Sequence, residues 1–162
     1  MDQDTISILP ADSVDTLKAT RLLFQEYAQS LKIDLCFQDF ERELALLPGD
    51  YQAPRGALLL AQVGVEWAGC CALRPLDSSD YVNACEMKRL YVRQDFRRLG
   101  LGRRLAEAIL DQARVAGYGC VLLDTLDDME SARALYEDLG VQSIPPYYFN
   151  PIAGAHYLKA NL

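Results

Sequence analysis

A turn with two glycines and several arginines is the feature that most constrains how this chain can fold. It follows a strand pattern, YVNACEMKRLYV, that spans Tyr81–Val92, and it leads into a helical pattern from about Gly100 to Ala116. An uninterrupted apolar run, Cys120–Thr125, comes next and is typical of a strand that is covered on both faces. This strand–helix–strand order predicts a βαβ unit in which the two strands are parallel.

The strand before the turn has an irregular period. Met87 and Leu90 are apolar and lie three positions apart, whereas Leu90 and Val92 lie two positions apart. One extra residue near Lys88 or Arg89 would reconcile these spacings, and inserting one residue is what a β-bulge does. We therefore expect a bulge shortly before the turn.

The remaining patterns predict a mixed sheet with helices on both faces. The second and third strands read as a hairpin with a tight turn near Gly64, and either Asp12 or Ser13 can cap the first helix. The early strands are therefore expected to pair antiparallel. The predicted strands are 5–10, 56–63, 66–76, 81–92, 120–125, 141–150 and 155–162, and the predicted helices are about 13–31, 39–47, 100–116 and 129–140.

The composition fits one globular domain, which we assign to residues 1–162. Apolar residues make up 51% of the chain and charged residues 24%, as in ordinary soluble proteins. The N-terminal stretch MDQDTISILP has acidic residues where a signal peptide is basic, and the longest apolar run, near Ala57–Ala61, is too short for a membrane span. We expect a cytoplasmic protein that does not engage a membrane.

The cysteine pattern gives no reason to expect a metal site. The five cysteines show no C-x-x-C spacing, and His156 is the single histidine. Free cysteines in apolar runs usually serve as small buried hydrophobic residues, which is the role expected here. They are Cys36, Cys70, Cys71, Cys85 and Cys120.

Positive charge is concentrated around the turn of an otherwise acidic chain. Residues 88–104 carry seven basic and one acidic side chain, so this segment has a net charge of +6 and the rest of the chain −13, within a total of −7. Such an island suits a small polyanion better than a nucleic acid, whose binding would also depend steeply on salt. The alternative is a solvated, arginine-rich helix start, although arginines there oppose the helix dipole unless an anion is bound.

The turn has the properties of a phosphate cradle. Gly100 and Gly102 let the backbone approach a ligand closely, and the first N–H groups of the following helix have no helical partner. Arg97, Arg98 and Arg103 can add charge-assisted hydrogen bonds to a phosphate.

The spacing of the glycines separates this turn from two common phosphate loops. A dinucleotide fingerprint needs glycine where Leu105 stands, and the G-K-[ST] of a Walker loop is absent. The pattern R-x-x-G-x-G at residues 97–102, directly after a bulged strand, resembles the acyl-CoA signature of the GNAT superfamily of N-acetyltransferases. The following LLDT and ARALYEDLG stand at the spacing that family uses. The resemblance covers about Gly56 to Leu162.

The resemblance implies an α/β (mixed α+β) fold: a central, mostly antiparallel, twisted sheet of about seven strands with a splayed parallel pair and helices on both faces. It implies acetyl-CoA as the co-substrate and no metal. The pyrophosphate would lie on the turn, and the pantetheine arm would run beside the bulged strand as an added strand. The implied cofactor-binding residues are Arg97, Arg98, Leu99, Gly100, Leu101, Gly102 and Arg103 at the turn, and Leu90, Tyr91 and Val92 on the strand.

Acetyl transfer needs a base for the amine, a donor for the oxyanion and an acid for the thiolate. The resemblance implies that Tyr136 is the acid, that Glu86 is the base and that the N–H of Leu90 binds the oxyanion. Each side chain has an alternative: Tyr136 as a core tyrosine, and Glu86 as a surface carboxylate paired with Lys88. A water chain can also replace the base in this family.

Met129 is a departure from the family pattern. Many relatives carry an asparagine at this position, seven residues before the motif tyrosine, where it contacts the cofactor arm. That side-chain contact is absent here, whereas backbone amides can still bind the cofactor.

The acceptor site is less defined by the sequence. Arg74 is a candidate for binding a substrate carboxylate, and Tyr147 and Tyr148 are candidates for an aromatic wall. The alternative for Arg74 is a surface arginine without a ligand. The alternative for the two tyrosines is a packed hairpin that closes the sheet. His156 is expected to be structural.

These patterns lead to two functional hypotheses. The first is an N-acetyltransferase that moves an acetyl group from acetyl-CoA to a primary amine of a small molecule or peptide, by direct attack in a ternary complex. The second is a non-catalytic acyl-CoA-binding or sensor module with the same cradle. Release of the free thiol of coenzyme A with a panel of amines separates them. Whether the protein is a monomer or a homodimer stays open.

Overall fold

A computed structural model describes residues 5–31, 39–126, 130–148 and 154–162, and the side chains of 126 and 130–133 are left out of the description. Within these ranges the chain forms one seven-stranded sheet with four α-helices. The elements are β1 Ile6–Pro10, α1 Val14–Ser30, α2 Phe40–Leu46, β2 Ala57–Val63, β3 Glu66–Pro75, β4 Ala84–Val92, α3 Leu101–Val115, β5 Cys120–Leu126, α4 Glu130–Asp138, β6 Gln142–Ile144 and β7 Ala155–Asn161.

The sheet has the mixed topology that the sequence predicts. Its strand order is β1-β2-β3-β4-β5-β7-β6. Strands β4 and β5 are parallel, because α3 carries the chain across one face between them, and the other recorded pairs are antiparallel. The predicted fold class is confirmed.

Each face of the sheet is covered by its own pair of helices. Leu105 and Ile109 of α3 are fully buried in a core that also contains Tyr136 of α4. On the opposite face, Phe24 of α1 and Phe40 of α2 pack in a second core. A fully buried side chain of this kind stabilises the fold by about 1.5–3 kcal/mol. Among the described helices, none has both the length and the apolar character to cross a membrane.

The first helix begins with a capping box. The side-chain oxygen of Ser13 accepts a hydrogen bond from the backbone N–H of Thr16 at 3.2 Å, and Thr16 Oγ1 accepts one from the N–H of Ser13 at 2.8 Å. This reciprocal pair satisfies two backbone donors at the helix start. Ser13 is therefore the cap, rather than Asp12.

The predicted bulge lies at Arg89 and Leu90. Across the β3–β4 pair, Cys70 is opposite Tyr91 and Ala72 is opposite Lys88, so two residues of β4 face one of β3. Arg89 has a φ of 62°, in the left-handed region. A bulged residue in this conformation bends the strand and increases its twist.

The bulge separates β4 from β5. Their recorded pairing covers three positions and stops where Glu86 meets Leu122, although both strands continue. Within the described residues, the β5 side of the last part of β4, residues 87–92, therefore has no strand paired to it. This is the splayed parallel pair that the sequence analysis implies.

Two predicted strands have different bounds in the structure. The strand predicted over 141–150 forms only at Gln142–Ile144, because Pro145 and Pro146 have no N–H to donate to a ladder. Residues 149–150 lie outside the described part of the chain, as does Met129. The strand predicted to begin at residue 81 begins at Ala84, after Asn83 turns the chain with a φ of 54°.

The cysteines behave as small buried residues. Cys70, Cys71, Cys85 and Cys120 are all buried and free. Burial raises the pKa of each thiol, to about 12 for Cys85, so these thiols stay protonated at neutral pH. Cys36 lies outside the described residues.

Candidate active site

The turn after β4 ends in a helix start whose backbone donors are open. Gly100 is the N-cap residue, with a φ of 73°, and no side chain caps the helix. The first helical hydrogen bond recorded runs from the N–H of Arg104 to the carbonyl of Gly100, at 3.1 Å. The preceding N–H groups, those of Leu101, Gly102 and Arg103, have no earlier helical carbonyl to bind. Open donors of this kind are suited to bind an anion.

The arginines of the turn differ in what they contact. Arg97 Nε donates to the carbonyl of Val92 at 2.9 Å and so closes the turn onto the end of β4. Arg103 pairs with Asp138 at 2.9 Å and with Glu107 at 3.6 Å, both exposed contacts that add little stability. Arg98 is exposed and, in the described part of the chain, has no acidic partner. Its guanidinium is therefore available to a bound anion.

The end of β4 presents a backbone edge next to this helix start. Tyr91 and Val92 pair with β3 on one side, while the opposite side faces the opening toward β5. Leu90 belongs to the bulge and has no register partner in β3. An extended ligand can pair with such an edge as an added strand. The predicted strand residues at the end of β4 and the predicted turn residues before α3 are thus neighbours in the fold, although the side chain of Leu101 is buried.

Helix α1 is tied to the same end of β4 by an ion pair. Arg93 donates two hydrogen bonds to Glu26, at 2.8 and 2.6 Å, and the hydroxyl of Tyr91 donates to the same carboxylate at 3.2 Å. The Arg93 hydrogen bond, opposed by burial, holds the pKa of Glu26 below its ordinary value. These contacts fix one wall beside the strand edge.

Tyr136 lies inside the molecule, in the core that α3 and α4 cover. Only 5% of its surface is exposed. Burial raises the pKa of its hydroxyl well above 10, with smaller contributions from Cys71, Tyr27 and Asp124. The Tyr136 hydroxyl is therefore a weaker acid than a tyrosine in water. It remains protonated at neutral pH, as a proton donor must.

Glu86 is a buried carboxylate with both oxygens in use. Arg74 donates to Oε1 from Nε at 2.8 Å and from Nη2 at 2.7 Å, and the hydroxyl of Tyr147 donates to Oε2 at 2.7 Å. Burial raises the pKa of Glu86, but the charges of Lys88 and Arg74 and these hydrogen bonds outweigh it, so the net pKa is lowered. With 1% exposure, Glu86 is not the surface carboxylate of the alternative interpretation.

The lowered pKa of Glu86 makes a prediction about acid stability. Its folded pKa lies below the ordinary 4.5, so its stabilising effect is fully present above pH 4.5 and is lost as the pH falls through the folded value. We expect the melting temperature of Glu86→Gln to depend less steeply on pH below 4.5 than that of the wild type. The exposed Glu107→Gln controls for the loss of one carboxyl, and equal slopes in the wild type and Glu86→Gln would contradict the prediction.

A buried ion pair at the bulge was not apparent from the sequence. Arg89 donates to Glu43 of α2 from Nε at 2.9 Å and from Nη2 at 3.0 Å, and its guanidinium lies 5.2 Å from the ring centroid of Phe40. Glu43 and the neighbouring charges hold the pKa of Arg89 above its ordinary value against the effect of burial. This contact joins α2 to the one β4 residue with left-handed backbone.

The predicted aromatic residues cluster beside Glu86. The ring centroids of Tyr147, Tyr148 and Tyr157 lie 5.3 to 5.6 Å from one another. Tyr148 donates a short hydrogen bond to Asp124 of β5. The cluster therefore closes the face of the sheet that carries Glu86 and Asp124.

A cavity of about 370 Å³ opens on the same face, between α2, a 3₁₀ turn at Gly49–Tyr51 and the end of β3. Arg74, Glu43 and Tyr51 line it. Arg74 thus joins the cavity to Glu86. Tyr51 and Glu43 were not predicted, because their position depends on how α2 and the 3₁₀ turn pack.

The family model of the acetyltransferase (GNAT) family matches residues 19–141, which include the turn, the bulged strand and Tyr136. The chain belongs to the GNAT acetyltransferase family. An uncharacterized N-acetyltransferase from Schizosaccharomyces pombe is 37% identical over 163 residues, covering 100% of this chain and 98% of the relative. The protein is accordingly an acyltransferase by family.

Solved GNAT structures share this fold. A GNAT acetyltransferase from Staphylococcus aureus superposes with a TM-score of 0.77 at 20% identity, covering 97% of this chain and 99% of the other. A Salmonella typhimurium protein solved with its cofactor acetyl-CoA superposes with a TM-score of 0.74 at 17% identity, covering 96% and 93%. At these identities the likeness bears on the fold of this GNAT protein and not on its substrate.

Proposed function

We propose that this GNAT protein transfers the acetyl group of acetyl-CoA to a primary amine of a small molecule or peptide, by direct attack in a ternary complex. The observation that carries the proposal is the uncapped start of α3 lying next to the open edge of β4. The helix start can accept a diphosphate, and the strand edge can pair with an amide-containing arm. The Salmonella protein of the same fold was solved with that cofactor.

In this proposal, backbone amides do most of the cofactor binding. The N–H groups of residues 98–102 and of Arg103 hold the diphosphate, and Arg98 offsets its charge. Leu90, Tyr91 and Val92 pair with the pantetheine arm. Arg97 acts mainly by holding the turn closed, since its Nε is bonded to Val92. Binding of the arm along this edge places the acyl end of the thioester at the bulge.

The chemistry then requires an oxyanion donor and an acid. The thioester supplies an activated acetyl carbonyl, and the amine nitrogen attacks its carbon. The N–H of Leu90, at the bulge, donates to the developing oxyanion. As the carbon–sulfur bond breaks, Tyr136 donates its proton to the departing thiolate, and its buried, protonated hydroxyl supports this role.

The proton of the attacking amine needs a separate route. Glu86 was the predicted base, but a carboxylate with a lowered pKa and two occupied oxygens is a weak one. We propose that a chain of water molecules carries the proton to bulk solvent. Glu86 contributes negative potential and holds Arg74 and Tyr147 in place.

The test is a thiol-release assay with acetyl-CoA and a panel of primary amines, combined with calorimetric titration of coenzyme A. We expect coenzyme A to bind and at least one amine to release free thiol. Failure to bind coenzyme A would overturn the proposal. Binding without turnover by any amine would instead favour the sensor module, the second hypothesis.

We also propose a partner, a location and an oligomeric state for the protein. The partner is an amine rather than a nucleic acid or a membrane, the location is cytoplasmic, and the protein is a monomer or a homodimer. Cell fractionation and light scattering check these points.

A further inference from the structure

The cavity beside Glu86 has a cationic group at its inner end. Arg74 lines it from the end of β3, and its side chain is 32% exposed while its partner Glu86 is only 2% exposed. One edge of the guanidinium therefore faces the buried carboxylate and another faces the cavity. The cavity lies next to Glu86, because Arg74 is opposite Glu86 in the β3–β4 register.

The free edge of Arg74 can bind a second anion. Glu86 uses Nε and Nη2, both through its Oε1 atom. Among the described residues, Nη1 has no hydrogen-bond partner. The Nη1–Nη2 fork points along the side chain, away from the occupied edge, and its geometry matches a carboxylate bidentately. Glu86 thus orients the guanidinium without using up its donors.

A second unsatisfied donor lines the same cavity. Tyr51 is 3% exposed, and its hydroxyl has no hydrogen-bond partner among the described residues. Burial raises its pKa well above 10, and the charge of Glu43 and a polar contact with that carboxylate add to the effect, so the hydroxyl keeps its proton. A buried hydroxyl without a partner costs about 1–3 kcal/mol. Because less than 1 Å² of this oxygen is accessible, a ligand oxygen would offset that cost only when the Tyr51 side chain turns toward the cavity.

Acidic side chains also line the cavity, and they favour cationic ligands at its mouth. Asp39 and Asp50 are exposed at its rim, together with Arg42. Glu43 is paired with Arg89 and is not available to a cation. Acidic groups at the rim attract amines, while the donors deeper inside fit an anion.

We propose that the acceptor carries a carboxylate in addition to its amine, and that Arg74 and Tyr51 bind this carboxylate. The inference rests on the proposed acetyl transfer and names its substrate class: amino acids or peptides, rather than simple amines or polyamines. Glu86 then acts as a positioning residue for Arg74.

The experiment compares two matched ligand series in the presence of coenzyme A. One consists of ω-amino acids from glycine to 6-aminohexanoate, and the other of the alkylamines that lack the carboxylate. Varying the length is necessary because Leu90, near the proposed oxyanion site, lies four residues beyond Glu86, about 13 Å along an extended strand. Calorimetry in the presence of coenzyme A reports the dissociation constants, and thiol release in separate samples with acetyl-CoA reports turnover.

We expect the best amino acid to bind about 10- to 100-fold more tightly than its alkylamine, as a charge-assisted hydrogen-bond pair predicts. The ratio of the two dissociation constants falls to near one in the double variant that combines Arg74→Gln with Glu86→Gln. This variant leaves no unpaired charge from the pair. Tyr51→Phe lowers the ratio without lowering the melting temperature, because it removes an unsatisfied hydroxyl. Arg55→Gln is the control. Arg55 is exposed and pairs with Asp77, and we expect its replacement to keep the wild-type ratio.

Three outcomes would overturn the inference. The first is that alkylamines bind as tightly as the matched amino acids, and the second is that neither series binds. The third is that the double variant keeps the wild-type ratio of dissociation constants. In a separate experiment, coenzyme A is titrated into the protein alone. If coenzyme A binds while the two series behave alike, only the carboxylate inference fails; if coenzyme A does not bind, the proposed acetyl transfer fails as well.

Discussion

Replacing Tyr136 with phenylalanine is expected to lower kcat for acetyl transfer by about 100-fold or more, while acetyl-CoA binds with nearly unchanged affinity. The substitution removes only the hydroxyl, and the ring keeps its place in the core, where Tyr136 is 5% exposed. The loss therefore reports the missing proton for the thiolate rather than a packing defect. Single-turnover kinetics with acetyl-CoA and the best amine measure it.

A matched tyrosine elsewhere in the fold serves as the control. Tyr118 is also buried, and its hydroxyl donates to the carbonyl of Arg55 at 2.7 Å, just after α3 ends. We expect Tyr118→Phe to lose some stability and to keep its kcat. If Tyr136→Phe keeps the wild-type kcat, or if both variants lose activity in parallel with stability, Tyr136 is not the acid.

Gly102→Ala is expected to weaken coenzyme A binding by about 10- to 100-fold without lowering the melting temperature. In the free protein a β-carbon at this position would meet only the side chain of Leu135, at 3.8 Å, which is ordinary contact. Alanine also favours the helix over glycine. The methyl group would instead displace a diphosphate from the N–H groups at the start of α3, and one lost charge-assisted hydrogen bond costs about 1.5–3 kcal/mol.

Calorimetry of coenzyme A binding and a thermal melt measure the two effects separately. Gly119→Ala is the control, since its added β-carbon also meets ordinary contacts, the nearest at 3.6 Å, and it lies after the other end of α3. An unchanged coenzyme A affinity in Gly102→Ala would show that the ligand does not approach this helix start.

The sequence was most informative where a local pattern has one structural solution. The mismatch between the Met87–Leu90 and Leu90–Val92 spacings can be satisfied only by an extra residue, and the bulge is found at Arg89 and Leu90. The glycines of the turn mark the start of α3 to within one residue. Free cysteines in apolar runs are buried for the same local reason.

The contacts of the acceptor side depend on tertiary packing, and the sequence could not supply them. Arg74 and Glu86 are twelve residues apart, and they meet because the register of β3 with β4 places them opposite each other. Arg89 meets Glu43 across 46 residues, through the docking of α2. Nothing in the local sequence of either helix or strand specifies those partners. The short extent of β6 has a local cause, because Pro145 and Pro146 cannot donate hydrogen bonds to a ladder.

The ion pair between Arg89 and Glu43 limits how this enzyme can be re-engineered. A glycine would adopt the left-handed backbone of the bulge at lower cost, but it would release α2 from the strand that presents the proposed oxyanion donor. Changes to α2 aimed at a new acceptor would thus also alter the alignment of the acetyl group. Libraries that vary the exposed positions 39, 42 and 50 and leave Glu43 intact offer a way to broaden substrate range without sacrificing turnover.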